Sequence, residues 1–181
     1  MKLVFERIQE FGHPLLKDLF ALYEGSFPPE ERREQVALFR IFDDPQMFFT
    51  ALLFEEQCVG LLVYWRFEAF LYIEHLAVFP DRRGQGIGTW ALHLLQKMGD
   101  PVLLEVEIPY DPASQRRVTF YNRCGFNSLP ISYFQPPYRE GESILPMMLF
   151  SDKPDWQEES LKRAIALFHF RVYQYRSNQP I

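Results

Sequence analysis

Cysteine is nearly absent: Cys58 and Cys124 are the only two in 181 residues, with no Cys-x-x-Cys and no Cys/His cluster at metal-ligand spacing. That excludes a disulfide framework or a structural zinc as the source of stability, and no metal site is expected. Two free thiols point to a reducing setting, and cytoplasmic localisation is the expectation. Long apolar runs are missing as well, so no membrane-spanning segment is expected. Met1-Lys2-Leu3 leads into alternating polar sequence with no apolar stretch of the kind a secretory leader needs. Nor does positive charge dominate. With 19 Lys and Arg against 24 Asp and Glu, the net charge is −5, which argues against non-specific nucleic-acid binding and leans toward cationic partners. Acidity that merely keeps the protein soluble explains the same balance equally well.

What is present is a ring-rich chain long enough to bury its own core. Hydrophobic residues make up 48% and aromatics 17%, mostly 18 Phe and 9 Tyr, so core and ligand cleft should both be lined by rings. Residues 2–8 alternate as a first strand, and 14–23 place Leu15, Leu19 and Leu22 on one helical face. Ser26-Phe27-Pro28-Pro29 breaks the chain, and the acids of 30–34 should open a second helix carrying Val36, Phe39 and Ile41. Residues 47–54, 58–67 and 70–79 read as an antiparallel meander. A helix follows with the stripe Ile87, Ala91, Leu94, Leu95, Met98, then a strand over 102–108 and a helix over 112–123 stopped by Gly125. Strands near 131–134 and 144–150 flank a Pro/Gly loop. The expected class is α/β (α+β), a mixed central sheet flanked by helices, with an extra C-terminal helix. That helix should span 155–176, capped by Asp155 and Glu158, with Leu161, Ala164, Ile165, Phe168 and Val172 on its apolar face. Residues 1–150 are read as the main domain and 151–181 as a helical extension, docked on that domain or buried in a homodimer.

The sharpest signal is Val78-Phe79-Pro80-Asp81-Arg82-Arg83-Gly84-Gln85-Gly86-Ile87-Gly88, where a strand runs through a glycine-rich turn straight into a helix. Backbone N–H groups and the positive end of a helix dipole converge there, a combination suited to phosphate. A Walker loop fails, because no Gly-Lys-Ser/Thr follows. A dinucleotide fingerprint fails too, because Thr89 stands where Gly-x-Gly-x-x-Gly needs its last glycine.

Arg83-x-x-Gly86-x-Gly88 after Ala77-Val78-Phe79-Pro80, with a later helix ending Phe120-Tyr121-Asn122-Arg123-Cys124-Gly125-Phe126, resembles the GCN5-related N-acetyltransferase (GNAT) superfamily. The first motif is similar to that family's acetyl-CoA pyrophosphate loop, the second to its Tyr followed by Gly-Phe. Ser114 and Arg117 stand where members often carry Asn and Ala.

The resemblance implies an acyl-CoA-dependent N-acyltransferase in which a primary amine, on a small molecule or a peptide, attacks acetyl-CoA directly. It implies that Arg83, Gly84, Gln85, Gly86, Ile87 and Gly88 hold the pyrophosphate through their N–H groups. The backbone of Leu76, Ala77 and Val78 would bond the thioester and pantetheine, with Leu76 N–H polarising the carbonyl. Tyr121 would protonate the departing thiolate. Glu74, two residues before Leu76, is the first candidate for general base, against an equally weighted reading as a carboxylate that orients substrate or pairs with a neighbour. Glu105 and Glu107 are reserves, and His75 is expected on the opposite strand face in a structural role. Residues 26–33 and 133–139 are the expected acceptor walls. A catalytically silent acyl-CoA-binding sensor is the alternative, since it needs the loop but neither the Tyr nor a base.

Overall fold

A computed structural model describes residues 2–174. The chain forms two compact units, residues 1–100 and 101–181. The first is built on four strands, β1 (Leu3–Arg7), β2 (Met47–Phe54), β3 (Gln57–Arg66) and β4 (Leu71–Val78), each antiparallel to the next. The meander follows from alternating apolar residues joined by tight turns. At Glu55 and Glu56 the turn puts two glutamates at φ 49° and 65°, the left-handed backbone that a two-residue hairpin demands. Helices α1 (Leu16–Ser26) and α3 (Ile87–Gln96) cover opposite faces of these strands. Phe49 on one face of β2 stacks on Phe20 of α1, whereas Phe54 on the other meets Trp90 of α3.

Two expectations change in this unit. Residues 30–41 do not make one helix: a 3-10 turn (Pro29–Glu31) is separated from the five-residue α2 (Gln35–Phe39) by extended backbone at Arg32, φ −143° and ψ 158°. In α3 the buried face is Ile87, Ala91, Leu92 and Leu95, and Met98 lies past the helix end with 40% of its surface exposed. Leu92 joins the buried face, and the expected Leu94 is only half-buried.

The second unit holds β5 (Val102–Glu107), α4 (Pro112–Arg123), β6 (Asn127–Ser128), β7 (Tyr133–Gln135), β8 (Leu145–Ser151) and α5 (Glu158–Tyr173). β8 is central, antiparallel to β5 on one edge and to β6 and β7 in turn on the other. α4 begins where a reciprocal capping box forms, Asp111 accepting from the Ser114 N–H at 2.7 Å while Ser114 Oγ accepts from the Asp111 N–H at 3.1 Å. Gly125 at φ 85° ends it. In α5 the expected stripe is buried, together with His169 and Tyr173, but the cap is Gln157 without a side-chain bond, not Asp155 and Glu158. Glu158 instead pairs one turn on with Lys162 at 2.8 Å. The expected end of this helix at 176 lies outside the described residues. No helix among the described residues is long and apolar enough to cross a membrane.

Gly60 marks a close approach inside the first unit. A Cβ there would stand 2.4 Å from the Ala77 carbonyl oxygen and 3.1 Å from Val78 Cα, both backbone atoms of β4. Gly60→Ala is therefore expected to cost about 1–3 kcal/mol, lowering the melting temperature by roughly 5 °C. Gly25→Ala, whose Cβ would meet nothing within 4 Å, should hold or raise it. Thermal melts of the two variants against wild type check the contrast.

Each unit also buries one histidine against a tyrosine hydroxyl: His75 Nε2 lies 3.3 Å from Tyr23 Oη, and His169 Nε2 lies 2.8 Å from Tyr133 Oη. Burial pulls both imidazoles down to about 4, so both are neutral at pH 7. The unfolded chain takes up these protons near pH 6.5 and the folded chain does not. Stability is thus full above pH 6.5 and falls as the pH drops toward 4. Urea titrations at pH 7 and pH 5 should differ by about 1–2 kcal/mol per histidine. An equal midpoint at both pH values would show that neither group is held neutral.

Candidate functional site

The glycine loop has the backbone that its composition requires. Gly84 and Gly86 sit at φ 78° and 80°, where other residues are strained, and a Cβ at either would meet nothing within 4 Å. Open space therefore lies in front of this backbone. Gly86 caps α3 without any side-chain bond, and the first turn carries no acid. The start of this ten-residue helix therefore has neither a side-chain cap nor an acid to answer its dipole. Gly88 does different work, lying within α3 itself. Neither arginine reaches out unengaged: Arg83 Nε donates to the Val78 carbonyl at 3.2 Å, and Arg82 donates to Gln57 at 2.7 Å. Gln85 is tied back to the Asp81 carbonyl at 3.2 Å. These bonds shape the loop from its side chains.

Leu76, Ala77 and Val78 lie on β4, opposite Leu62, Leu61 and Gly60 of β3. Just before them the register slips, with Val63 facing His75 and Tyr64 facing Ile73, so Glu74 is the extra residue of a β-bulge. The bulge overturns one expectation. Strict alternation would send His75 to the face opposite Glu74, yet His75 Nε2 and Glu74 Oε1 are only 3.7 Å apart. His75 remains a buried, neutral residue, so this contact is not an ion pair.

The Glu74 side chain has no exposed surface. Its Oε1 accepts from Arg33 Nε at 3.0 Å, and its Oε2 accepts from the Trp65 indole at 2.6 Å. The Arg33 N–H in turn donates to Tyr23 Oη at 2.8 Å, and the same hydroxyl shares a hydrogen bond with His75 Nε2 at 3.3 Å. Burial and the Glu74 charge push the Tyr23 phenol up, so it keeps its proton. Arg33, Trp65 and Tyr23 were not legible as partners: Arg33 sits in a charged run that reads as solvated surface. The nearby Phe27 ring packs 4.4 Å from His75.

In the second unit Tyr121 sits on the last turn of α4, its ring 6.3 Å from Phe126 and 6.5 Å from Phe150. Desolvation pushes its phenol up to about 12, opposed by Arg117, so it carries its proton throughout the neutral range. Cys124 is buried beside it. Ser114 and Arg117, the two departures from the family pattern, both have local work: Ser114 closes the capping box and Arg117 forms an ion pair with Glu107.

Glu105, on the same strand as Glu107, is partly exposed and accepts from two phenols, Tyr133 at Oε1 and Tyr173 at Oε2, the latter at 2.6 Å. Of the segment 133–139, Tyr133 thus joins a carboxylate, while Arg139 pairs with Glu142 at 2.8 Å. Among the described residues no group of three or more His, Cys, Asp or Glu could hold a metal ion.

Comparison with known proteins agrees with this geometry. Residues 16–126 match the Acetyltransferase (GNAT) family. A Bacillus subtilis (strain 168) protein assigned by name to the acetyltransferases, YjbC, is 29% identical over 124 residues, covering 66% of this chain and 64% of its own. A solved structure from Bacteroides thetaiotaomicron, assigned to the same family, is 34% identical with a TM-score of 0.86, covering 96% of this chain and 99% of that one. Arabidopsis thaliana Naa50, solved with the bisubstrate analogue CoA-Ac-MVNAL, shares the fold at 19% identity and a TM-score of 0.59, over 83% of this chain and 98% of its own. The strand, glycine turn and helix lie inside the matched segment, as do Tyr121 and Gly125-Phe126, and this chain belongs to the GNAT family of acetyltransferases.

Proposed function

We propose that the protein is an N-acetyltransferase that moves an acetyl group from acetyl-CoA to a primary amine by direct attack. The observation that carries this reading is the pair of left-handed glycines, with open space before them, at the uncapped start of α3. A pyrophosphate fits such backbone because it takes several N–H groups at once and gains from the helix dipole. The CoA-linked peptide held by Naa50 supports a CoA thioester as donor and an amine as acceptor.

In this reading the N–H groups of residues 83–88 hold the donor, and the β4 backbone at Leu76 to Val78 aligns its thioester. Leu76 N–H stabilises the oxyanion that develops on the acetyl carbonyl. The acceptor arrives as an ammonium and gives one proton to a carboxylate. Its nitrogen then attacks the acetyl carbon, the C–S bond breaks, and Tyr121 protonates the sulfur. The second amine proton restores Tyr121, so the net release is one proton.

Glu74 and Glu105 differ as proton acceptors. Glu74 has no exposed surface and meets a guanidinium and an indole. Its geometry supports the pairing role that the sequence weighed equally with base catalysis. Glu107 is engaged by Arg117. Glu105 is partly exposed and accepts from two uncharged phenols, Tyr133 and Tyr173, which supports it as the group that takes the amine proton.

Acetyl-CoA should raise the melting temperature and NAD should not; no shift at millimolar acetyl-CoA would sink the donor assignment. Tyr121→Phe should lower kcat by roughly 10²-fold while the Kd for acetyl-CoA stays within about twofold. Mass spectrometry against an amine library reads both the turnover and the acceptor.

A further inference from the structure

We propose that the C-terminal helix α5 is a working part of the acceptor site: Tyr173 and His169 are positioning residues that orient Glu105 and keep it ionised. This rests on the reading of Glu105 as the group that takes the amine proton. Helix α5 lies wholly outside the segment 16–126 that matches the family, so nothing in that match assigns it a task.

The wiring is short and has a direction. Tyr173, on the last turn of α5, donates its phenolic proton to Glu105 Oε2 at 2.6 Å. Tyr133 of β7 donates to Oε1. Because the one proton of Tyr133 is committed to the carboxylate, His169 Nε2, 2.8 Å from the same phenolic oxygen, must be the donor in that contact. The imidazole is held neutral by burial, and the Tyr133 phenol is pushed well above its ordinary value by burial and by Glu105. Neither group therefore exchanges its proton in the neutral range, and the order His169 to Tyr133 to Glu105 is fixed. Helix α5 thus reaches the carboxylate twice, directly through Tyr173 and one step removed through His169.

Donation to both oxygens favours the charged form and sets the plane of the carboxylate. On its own strand the next acid is Glu107, engaged by Arg117 of α4. Opposite Glu105 on β8 stands Leu149, which carries no charge. Tyr138 packs 4.8 Å from Tyr173, and Phe134 packs 5.7 Å from His169. The result is a carboxylate among rings, suited to an alkylammonium rather than to an anionic or neutral acceptor.

The experiment pairs NMR titration of the full-length protein, labelled with ¹³C at the glutamate carboxyls, with pH profiles of kcat/KM. In Tyr173→Phe the Glu105 titration and the acid limb of kcat/KM should both move up by about one pH unit. Acetyl-CoA affinity should stay within about twofold. His169→Phe should move both in the same direction by less, and His169→Gln, which retains an N–H donor, should restore part of the shift. Glu105→Gln should remove the limb. If Glu105→Gln removes the limb but Tyr173→Phe leaves the titration and the limb unmoved, the role of α5 is overturned while Glu105 stands as base. If the titration moves in Tyr173→Phe but the limb survives Glu105→Gln, the wiring is present and the assignment of the base is what fails.

Discussion

A carboxylate with no exposed surface dictates much of the first unit. Glu74 is ionisable, sits at a bulge on β4, and is answered by Arg33, itself 8% exposed at the side chain. Leaving one member of such a pair unanswered costs about 3–5 kcal/mol. The acids of residues 30–34 favour a helix N-terminus, but by only about 0.3–1 kcal/mol each. The buried ion pair prevails. Arg33 is drawn to β4, Arg32 is extended, and the helix that the sequence suggests is cut into a 3-10 turn and the short α2. The Arg33 N–H then goes to Tyr23 rather than into a helix ladder. One buried charge thereby fixes the path of residues 27–34, which overlap the expected acceptor wall at 26–33.

The donor end depends on a different constraint. The glycine loop has no need of buried charge, because the contacts proposed for it are made by backbone groups whose direction is set by two positive φ angles. The side chains around it act on the loop itself: Arg83 is bonded to the carbonyl that ends β4, and Gln85 to the preceding turn. Gly60 extends this logic one strand further. A side chain there would displace the Ala77 carbonyl, and with it the strand proposed to align the thioester. Precision at this end is therefore a matter of backbone shape, and a substitution acts on it through strain rather than lost contacts.

This division explains how much was legible in the sequence. Backbone-determined features were read well: the meander falls within a residue or two of its expected bounds, and α4 spans 112–123 as Gly125 and Pro112 indicate. Features set by tertiary partners were not. The residue opposite His75 depends on a bulge that alternation does not announce. The split of residues 30–41 depends on an acid 41 positions away from Arg33. The cap expected for α5 does not form, because the helix starts only at Glu158, with Gln157 as its N-cap. Ser114 is an instructive middle case: a departure from the family pattern, it reads locally as half of a capping box with Asp111.

The same reasoning bears on why α5 carries polar residues on its buried side. An apolar stripe of Leu161, Ala164, Ile165, Phe168 and Val172 would suffice to dock a helix. Adding His169 and Tyr173 to that face brings a desolvation cost that Leu or Phe would avoid. The cost is offset in part by hydrogen bonds at His169 Nε2 and Tyr173 Oη, and both bonds run toward Glu105, one directly and one through Tyr133. A helix whose sole purpose was to cover apolar surface would gain nothing from this arrangement. Orienting a partly exposed carboxylate is a purpose that requires it, because an ion can be held in one plane only by donors that are themselves fixed. Tyr133 is fixed by the short strand β7 and by His169, and Tyr173 by the helix that buries Val172 beside it.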